Sequence, residues 1–299
     1  MIHIVGHTAI DHISRVAHLP EKNCSTHISD RQVYFGGGAA NIAAGIAMLG
    51  GQVTLVSCIG DDFAGSEYEH WMKKLGIGQQ FFTVPGTHTP TAFMFTDEQG
   101  DQMTFFEWGA SKAFAHADAP SLPFVHMATA DPDFNCRIAE RSGFASFDPG
   151  QDVFYYTREQ LETILENIDL LFANQHEVQQ MCMTLGIPRE ALIRQVDMAV
   201  FTMSGNGSTL YTNGAEHFIP AVPVRLADPT GAGDAYRAGF LSAYVGGFTP
   251  VTCCRIGTVT ASYVVEHTGC QTHLPDWDRM KVRYQEHFGT LDTPPGKGA

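Results

Sequence analysis

From Phe124 onward, short apolar runs alternate with amphipathic stretches, and no other feature restricts the fold as strongly. Phe124–Ala128, Phe144–Phe147, Leu170–Ala173 and Met198–Met203 read as strands; Pro132–Ser142, Arg158–Asn167 and Glu177–Leu185 read as the helices between them. Strands that are apolar along their whole length need cover on both faces, and crossover helices supply it. The pattern therefore predicts an α/β fold: a doubly wound, mostly parallel sheet with helices on both faces. Ile2–Gly6 and Val53–Ile59 add buried strands, with a small-residue helix Ala39–Leu49 between them that stops at Gly50-Gly51. Asp62 is expected to cap an amphipathic helix running through Trp71 to Leu75. Ala232–Val245 and Val251–His267 read as long helices, the first so rich in small residues that it must be buried.

Two segments break the pattern. Asp11 to Phe35 is polar and alternating, and Thr91–Thr96, the turn Asp97–Gly100 and Gln102–Trp108 read as a hairpin. They are expected to form a separate small sheet, a lid over one end of the large domain. This assigns residues 1–10, 36–87 and 111–290 to the large domain, 11–35 and 88–110 to the lid, and 291–299 to a flexible tail.

Composition excludes several classes of function. With 18 basic against 32 acidic residues, the net charge of −14 argues against nonspecific nucleic-acid binding. No apolar stretch approaches the length of a membrane span, and no basic leader precedes the first strand, so a cytoplasmic protein is expected. Seven cysteines without a Cys-x-x-Cys pair point to reduced thiols. The 14 histidines read as mainly surface and packing residues rather than metal ligands.

The run Asp228-Pro-Thr-Gly-Ala-Gly-Asp234 opens the small-residue helix. A helix N-terminus offers unpaired N–H groups and the positive end of the macrodipole, and glycine lets an anion approach the main chain. A carboxylate beside such a cradle suits phosphoryl transfer to a hydroxyl. The same residues also fit an ordinary glycine-started helix with a favourable first-turn acid.

Together with Gly36-Gly-Gly-Ala-Ala-Asn41, Leu49-Gly50 and Ile59-Gly-Asp-Asp62, this run resembles the PfkB (ribokinase-like) family of carbohydrate and nucleoside kinases, in order and spacing, over Ile2 to Pro275. The resemblance implies Asp234 as general base and the N–H groups of Gly231, Ala232 and Gly233 as the anion hole for the γ-phosphoryl group of ATP. It implies that Asp11, Gly37 and Asn41 bind the acceptor; an Asx turn at Asp11 and a helix-start role for Asn41 compete with that reading. Asn174-Gln-His-Glu177 matches a motif that organises Mg²⁺ through water, and is equally a capping box. Thr202, Ser204, Gly205 and Gly207 match the segment lining the ATP site. A monovalent cation such as K⁺ near Asp228 and Gly269 is an optional further ligand. There is neither a Gly-x-Gly-x-x-Gly nor a P-loop motif.

Ribokinases commonly carry lysine where this chain has Gly38, which weakens a free-ribose assignment. Phe93, Phe95, Phe105, Phe106 and Trp108 offer rings that could stack on a base, although strand alternation turns about half of them away. Phe106–Ala110, Ala128–Pro132 and Phe147–Gln151 are similar to archaeal family members that act as broad-specificity nucleoside kinases. A ribonucleoside kinase is therefore expected, with a ribokinase- or fructokinase-type sugar kinase as the alternative. A noncatalytic binding protein and a Rossmann oxidoreductase fit less well. Apolar residues on both faces of the lid predict a homodimer through it.

Overall fold

The computed structural model describes residues 1–292 and 294. Strand β1 (Ile2–Val5) leads into β2 (Ala9–Val16) and β3 (Ile28–Gly36), then α1 (Gly38–Met48), β4 (Val53–Ile59), α2 (Glu67–Lys74) and β5 (Gly78–Thr83). The hairpin β6 (Thr91–Thr96) and β7 (Gln102–Glu107) precedes β8 (Phe124–Met127), α3 (Pro132–Arg141), β9 (Phe144–Phe147) and α4 (Arg158–Glu166). Next come β10 (Leu170–Asn174), α5 (Gln175–Leu185), α6 (Arg189–Ile193) and β11 (Met198–Thr202). A second hairpin, β12 (Ser208–Thr212) and β13 (Ala215–Ile219), is followed by α7 (Ala232–Val245), α8 (Pro250–Val264) and α9 (Trp277–Phe288).

Nine strands form the large sheet in the order β13-β12-β11-β10-β9-β8-β1-β4-β5. From β11 to β5 every pairing is parallel, and the β12–β13 hairpin adds an antiparallel edge. Alternation feeds two cores: Leu170 and Phe172 pack with α1, α7 and α8 on one face, Leu171 and Ala173 with α3, α4 and α5 on the other. The doubly wound architecture thus follows from strands that are apolar on both faces.

The lid is a four-stranded sheet in the order β3-β2-β6-β7. Its register aligns Val33, His12, Phe93 and Phe105 across the strands, so these share one face. Ala92, Met94, Thr104 and Phe106 occupy the opposite face and line the cleft below. Asp11 lies within β2, in the lid sheet.

Asp62 does not cap α2. A turn with Gly65 at φ 77° intervenes, and the Ser66 hydroxyl accepts from the Glu69 N–H at 3.1 Å instead. Asp62 Oδ1 accepts from Thr89 N–H and Oγ1 at 2.7 and 2.8 Å, fastening this turn to the start of the lid hairpin. Of the expected flexible tail, residues 293 and 295–299 lie outside the described residues; Leu291 packs on the core. No helix among the described residues is long and apolar enough to cross a membrane.

Candidate active site

The carboxyl ends of the central strands, where open α/β sheets bind ligands, form the floor of a cleft of about 860 Å³. Asp148 follows β9, Asn174 ends β10, Thr202 ends β11, and the N-terminus of α7 points in from the other side. The lid closes the top with Asp11, Ala92, Met94 and Phe106. Every residue singled out from the sequence as base, anion hole, acceptor contact, nucleotide contact or metal organiser lines this one cleft. Of the five lid aromatics, Phe106 is the one that does so.

Helix α7 starts at Gly231, which adopts left-handed φ 79°, and no side chain caps it. Ala232 N–H turns back to Pro229 O at 3.2 Å, while the N–H groups of Gly231 and Gly233 find no acceptor among the described residues. The absent side chains also have a steric reason. A Cβ on Gly231 would sit 2.8 Å from Cys270 Sγ, and one on Gly233 would collide with the Arg237 guanidinium. The cradle is glycine-rich partly because its own walls leave no room.

Asp234 stands in the first turn, its side chain 21% exposed to the cleft. Burial pushes its carboxyl up to about 6, against the pull of Arg237 and of the hydrogen bond from Asn41. The shift still leaves it mostly ionised at neutral pH. Asn41 Nδ2 donates to Asp234 Oδ2 at 2.9 Å, and Asn41 Oδ1 accepts from Gln271 Nε2 at 2.9 Å. Gln271 is held in turn by Tyr68 Oη at 2.8 Å and by the Trp71 indole N–H at 3.0 Å. Tyr68 donates onward to the Gly36 carbonyl at 2.8 Å. Both ends of the Asn41 amide are therefore engaged, and its effect is to orient the carboxylate.

Arg237, one helical turn beyond Asp234, sits among three acids. Its Nη2 meets Asp148 Oδ2 at 2.6 Å and its Nη1 lies 4.0 Å from Asp234 Oδ1. Glu177 is near enough that Asp148 and Arg237 both act on it; burial is the larger effect and pushes Glu177 up to about 7. Asn174 and Glu177 form the complete capping box, with Glu177 accepting from Asn174 N–H and Nδ2 at 2.7 Å each. No group of three or more His, Cys, Asp or Glu among the described residues is placed to hold a metal ion by itself. Asp11, 5% exposed, is pushed up to about 8 by burial, with Asp234 and Asp228 adding to the rise.

Past the start of α7 the cleft continues between Thr202, Ser204, Gly205 and Gly207 on one side and Val222, Pro223, Val224, Leu226, Thr258, Ala261, Ser262 and Val265 on the other. Sequence reasoning missed this second wall, together with Arg237, Asp148 and Gln271. One signal for Arg237 was available: the lone basic residue of a buried small-residue helix requires a buried acidic partner.

The pfkB family carbohydrate kinase model matches residues 1–277. The chain is 43% identical over 290 residues to a nucleoside kinase of Methanocaldococcus jannaschii, covering 95% of this chain and 96% of that protein. It is 40% identical over 297 residues to a nucleoside kinase of Methanothermobacter thermautotrophicus, covering 95% and 96%. The crystal structure of the M. jannaschii nucleoside kinase, described as an archaeal member of the ribokinase family, superposes with a TM-score of 0.90 at 42% identity, covering 96% of this chain and 98% of that one. Burkholderia thailandensis nucleoside kinase in complex with inosine gives 0.90 at 26% identity, covering 98% and 99%. Motif order, sheet topology, cleft and relatives agree: the chain belongs to the pfkB family of carbohydrate kinases and is a phosphotransferase with an alcohol group as acceptor.

Proposed function

We propose that the protein transfers the γ-phosphoryl group of ATP to the 5′-hydroxyl of a ribonucleoside. The observation that carries this reading is the Asp234 carboxylate, oriented by Asn41 beside an uncapped helix N-terminus, between a donor arm and a lid-covered acceptor arm. Asp234 takes the proton of the attacking hydroxyl, and the N–H groups at the start of α7 hold the charge that grows on the transferred group. Magnesium brought in with the nucleotide neutralises the phosphates when bound. Glu177 and Asn174 suit a water-mediated role towards it, because a buried carboxylate raised to about 7 is restabilised by a nearby cation. K⁺ beside Asp228 is tested by replacing potassium with lithium in the assay.

Three features favour a nucleoside. Relatives at 43% and 40% identity are nucleoside kinases, and B. thailandensis nucleoside kinase has been crystallised with inosine and with ADP-inosine. Phe106 offers a ring on the acceptor side. A Cβ on Gly38 would lie 3.4 Å from Thr129 Oγ1 and 3.7 Å from Asp234 Oδ1, so a lysine there would crowd the acceptor space next to the base. ADP release measured with nucleosides, ribose and fructose tests the proposal; turnover of the free sugars alone would reverse it. Seven free cysteines suit a reducing compartment, the cytoplasm.

Asp11 is assigned to the vicinal hydroxyls of the ribose. Asp11→Ala should raise KM for the nucleoside on the order of 10- to 100-fold while KM for ATP stays nearly unchanged, since two hydrogen bonds between the sugar hydroxyls and the buried carboxyl are lost. Equal use of 2′-deoxy, 3′-deoxy and ribonucleosides by the unmodified enzyme would remove the diol contact.

The lid's outer face carries Val33 and Phe105, 54% and 56% exposed, beside the stacked His12–Phe93 pair, whose ring centroids are 5.1 Å apart. An apolar open sheet calls for a cover, and a second copy related by a two-fold axis provides one. Light scattering at micromolar concentration should give twice the chain mass of 32.7 kDa, and Val33→Glu with Phe105→Glu should halve it. A monomeric mass for the unmodified protein excludes the lid dimer.

A further inference from the structure

At the lid end of the cleft two buried polar atoms lie side by side, and neither makes a hydrogen bond. His7, just past β1, is 3% exposed. Its Nδ1 lies 2.8 Å from the Ser111 hydroxyl, while its Nε2 makes no hydrogen bond. Asp152, in the short 3-10 turn Gly150–Tyr155, places Oδ2 3.5 Å from that Nε2, and this oxygen too has no hydrogen bond. Both side chains line the cleft, and the Phe106 ring lies 4.8 Å from the imidazole.

Buried polar groups are almost always hydrogen-bonded, and leaving one unsatisfied is costly. Two orphans in the wall of a ligand cleft therefore indicate ligand atoms. The nearby lining side chains Gln151, Gln102, Thr104 and Met94 carry no charge. Arg237 is paired with Asp148, so no free cation sits among these groups to welcome an anionic ligand. The missing partner of Asp152 is instead a neutral N–H or O–H donor, and an aromatic ring alongside it suits a flat heterocycle.

We infer that Asp152 and His7 read the hydrogen-bonding edge of the acceptor's base, with Asp152 accepting a base N–H while Phe106 packs on the ring. The inference rests on the nucleoside reading above. When the Ser111 hydroxyl donates to Nδ1, His7 Nε2 carries its proton and stands as a donor beside the Asp152 acceptor. Adjacent donor and acceptor atoms occur on the pairing edge of all the common bases, so this arrangement selects for a base without choosing one.

The test compares adenosine with purine riboside, which keeps the ring and the sugar but has no N–H on its base. The unmodified enzyme should favour adenosine in kcat/KM by about 10- to 100-fold, the value of a hydrogen bond to a charged acceptor. Asp152→Ala should bring the two substrates to within about twofold, and Asp152→Asn, which keeps the shape and a weaker acceptor, should fall between. A variant with only a packing defect would lower both substrates together and keep their ratio. No preference in the unmodified enzyme, or a preference unaffected at position 152, overturns the inference. If no nucleoside is phosphorylated while ribose or fructose is, the acceptor reading itself falls, and the inference with it.

Discussion

Asp234→Asn should lower kcat by about 10²- to 10⁴-fold with a much smaller change in KM for either substrate, because it removes the proposed proton acceptor and keeps its shape. The environment of the side chain makes this substitution informative. Asn41 still has an oxygen to donate to at this position, and the first turn of α7 keeps its length, so the fold should tolerate the change. The pH profile supplies an independent check. Burial raises the Asp234 carboxyl to about 6, so the group is protonated below that value, where the proposed base would be lost, and ionised above it. The rate of the unmodified enzyme should therefore climb through about pH 6 and level off towards neutrality. Residual activity of the variant should lack that limb, since asparagine does not titrate. Retention of more than half the normal turnover, or an acidic limb unchanged in the variant, would remove Asp234 from the role of base.

The parts of the fold that were legible in the sequence are those governed by short-range patterning. Ala232–Val245 was read with the bounds the helix has, because Gly231 starts it and its small apolar face runs without a break. The parallel sheet followed from strands with no polar alternation. Edges were harder. β5 is only half-buried and reads Gly-Gln-Gln-Phe-Phe-Thr, with neither period, and β13 is exposed along most of its length. The site divides in the same way. The Gly231–Asp234 cradle and the Asn174–Glu177 box are each local and visible as motifs, and the latter folds as the capping box that its spacing allows. Other groups around the site come from far along the chain. Gln271 reaches Asn41 across 230 residues, and His7 meets Ser111 across 104. No spacing rule connects such pairs; only the topology of the closed fold does.

Arg237→Met should destabilise the protein by about 3–5 kcal/mol at pH 8, more than any substitution at the rim of the cleft, because it strips a buried carboxylate of its partner. Arg237 is 7% exposed and Asp148 4%, and the 2.6 Å contact between them ties the segment after β9 to α7. Methionine keeps the apolar stem near Phe172, whose ring centroid lies 6.0 Å from the guanidinium carbon, so the loss is mainly of charge. The sign of the pH dependence follows. Burial already raises the Asp148 carboxyl and Arg237 pulls it back, so removing the arginine lets it rise further. An acid whose folded pKa lies above its unfolded value costs stability as pH climbs through the folded value, and little below the unfolded one. The deficit of the variant should therefore shrink between pH 8 and pH 5 as Asp148 takes up a proton. Pairing Arg237→Met with Asp148→Asn should recover much of the lost stability at pH 8, giving a coupling energy well above the error of a double-mutant cycle. Denaturant unfolding of the four proteins at the two pH values measures all of this. A deficit below about 1 kcal/mol, or one that ignores both pH and the second substitution, would mean that the pair is screened in solution and that α7 is anchored by its apolar face alone.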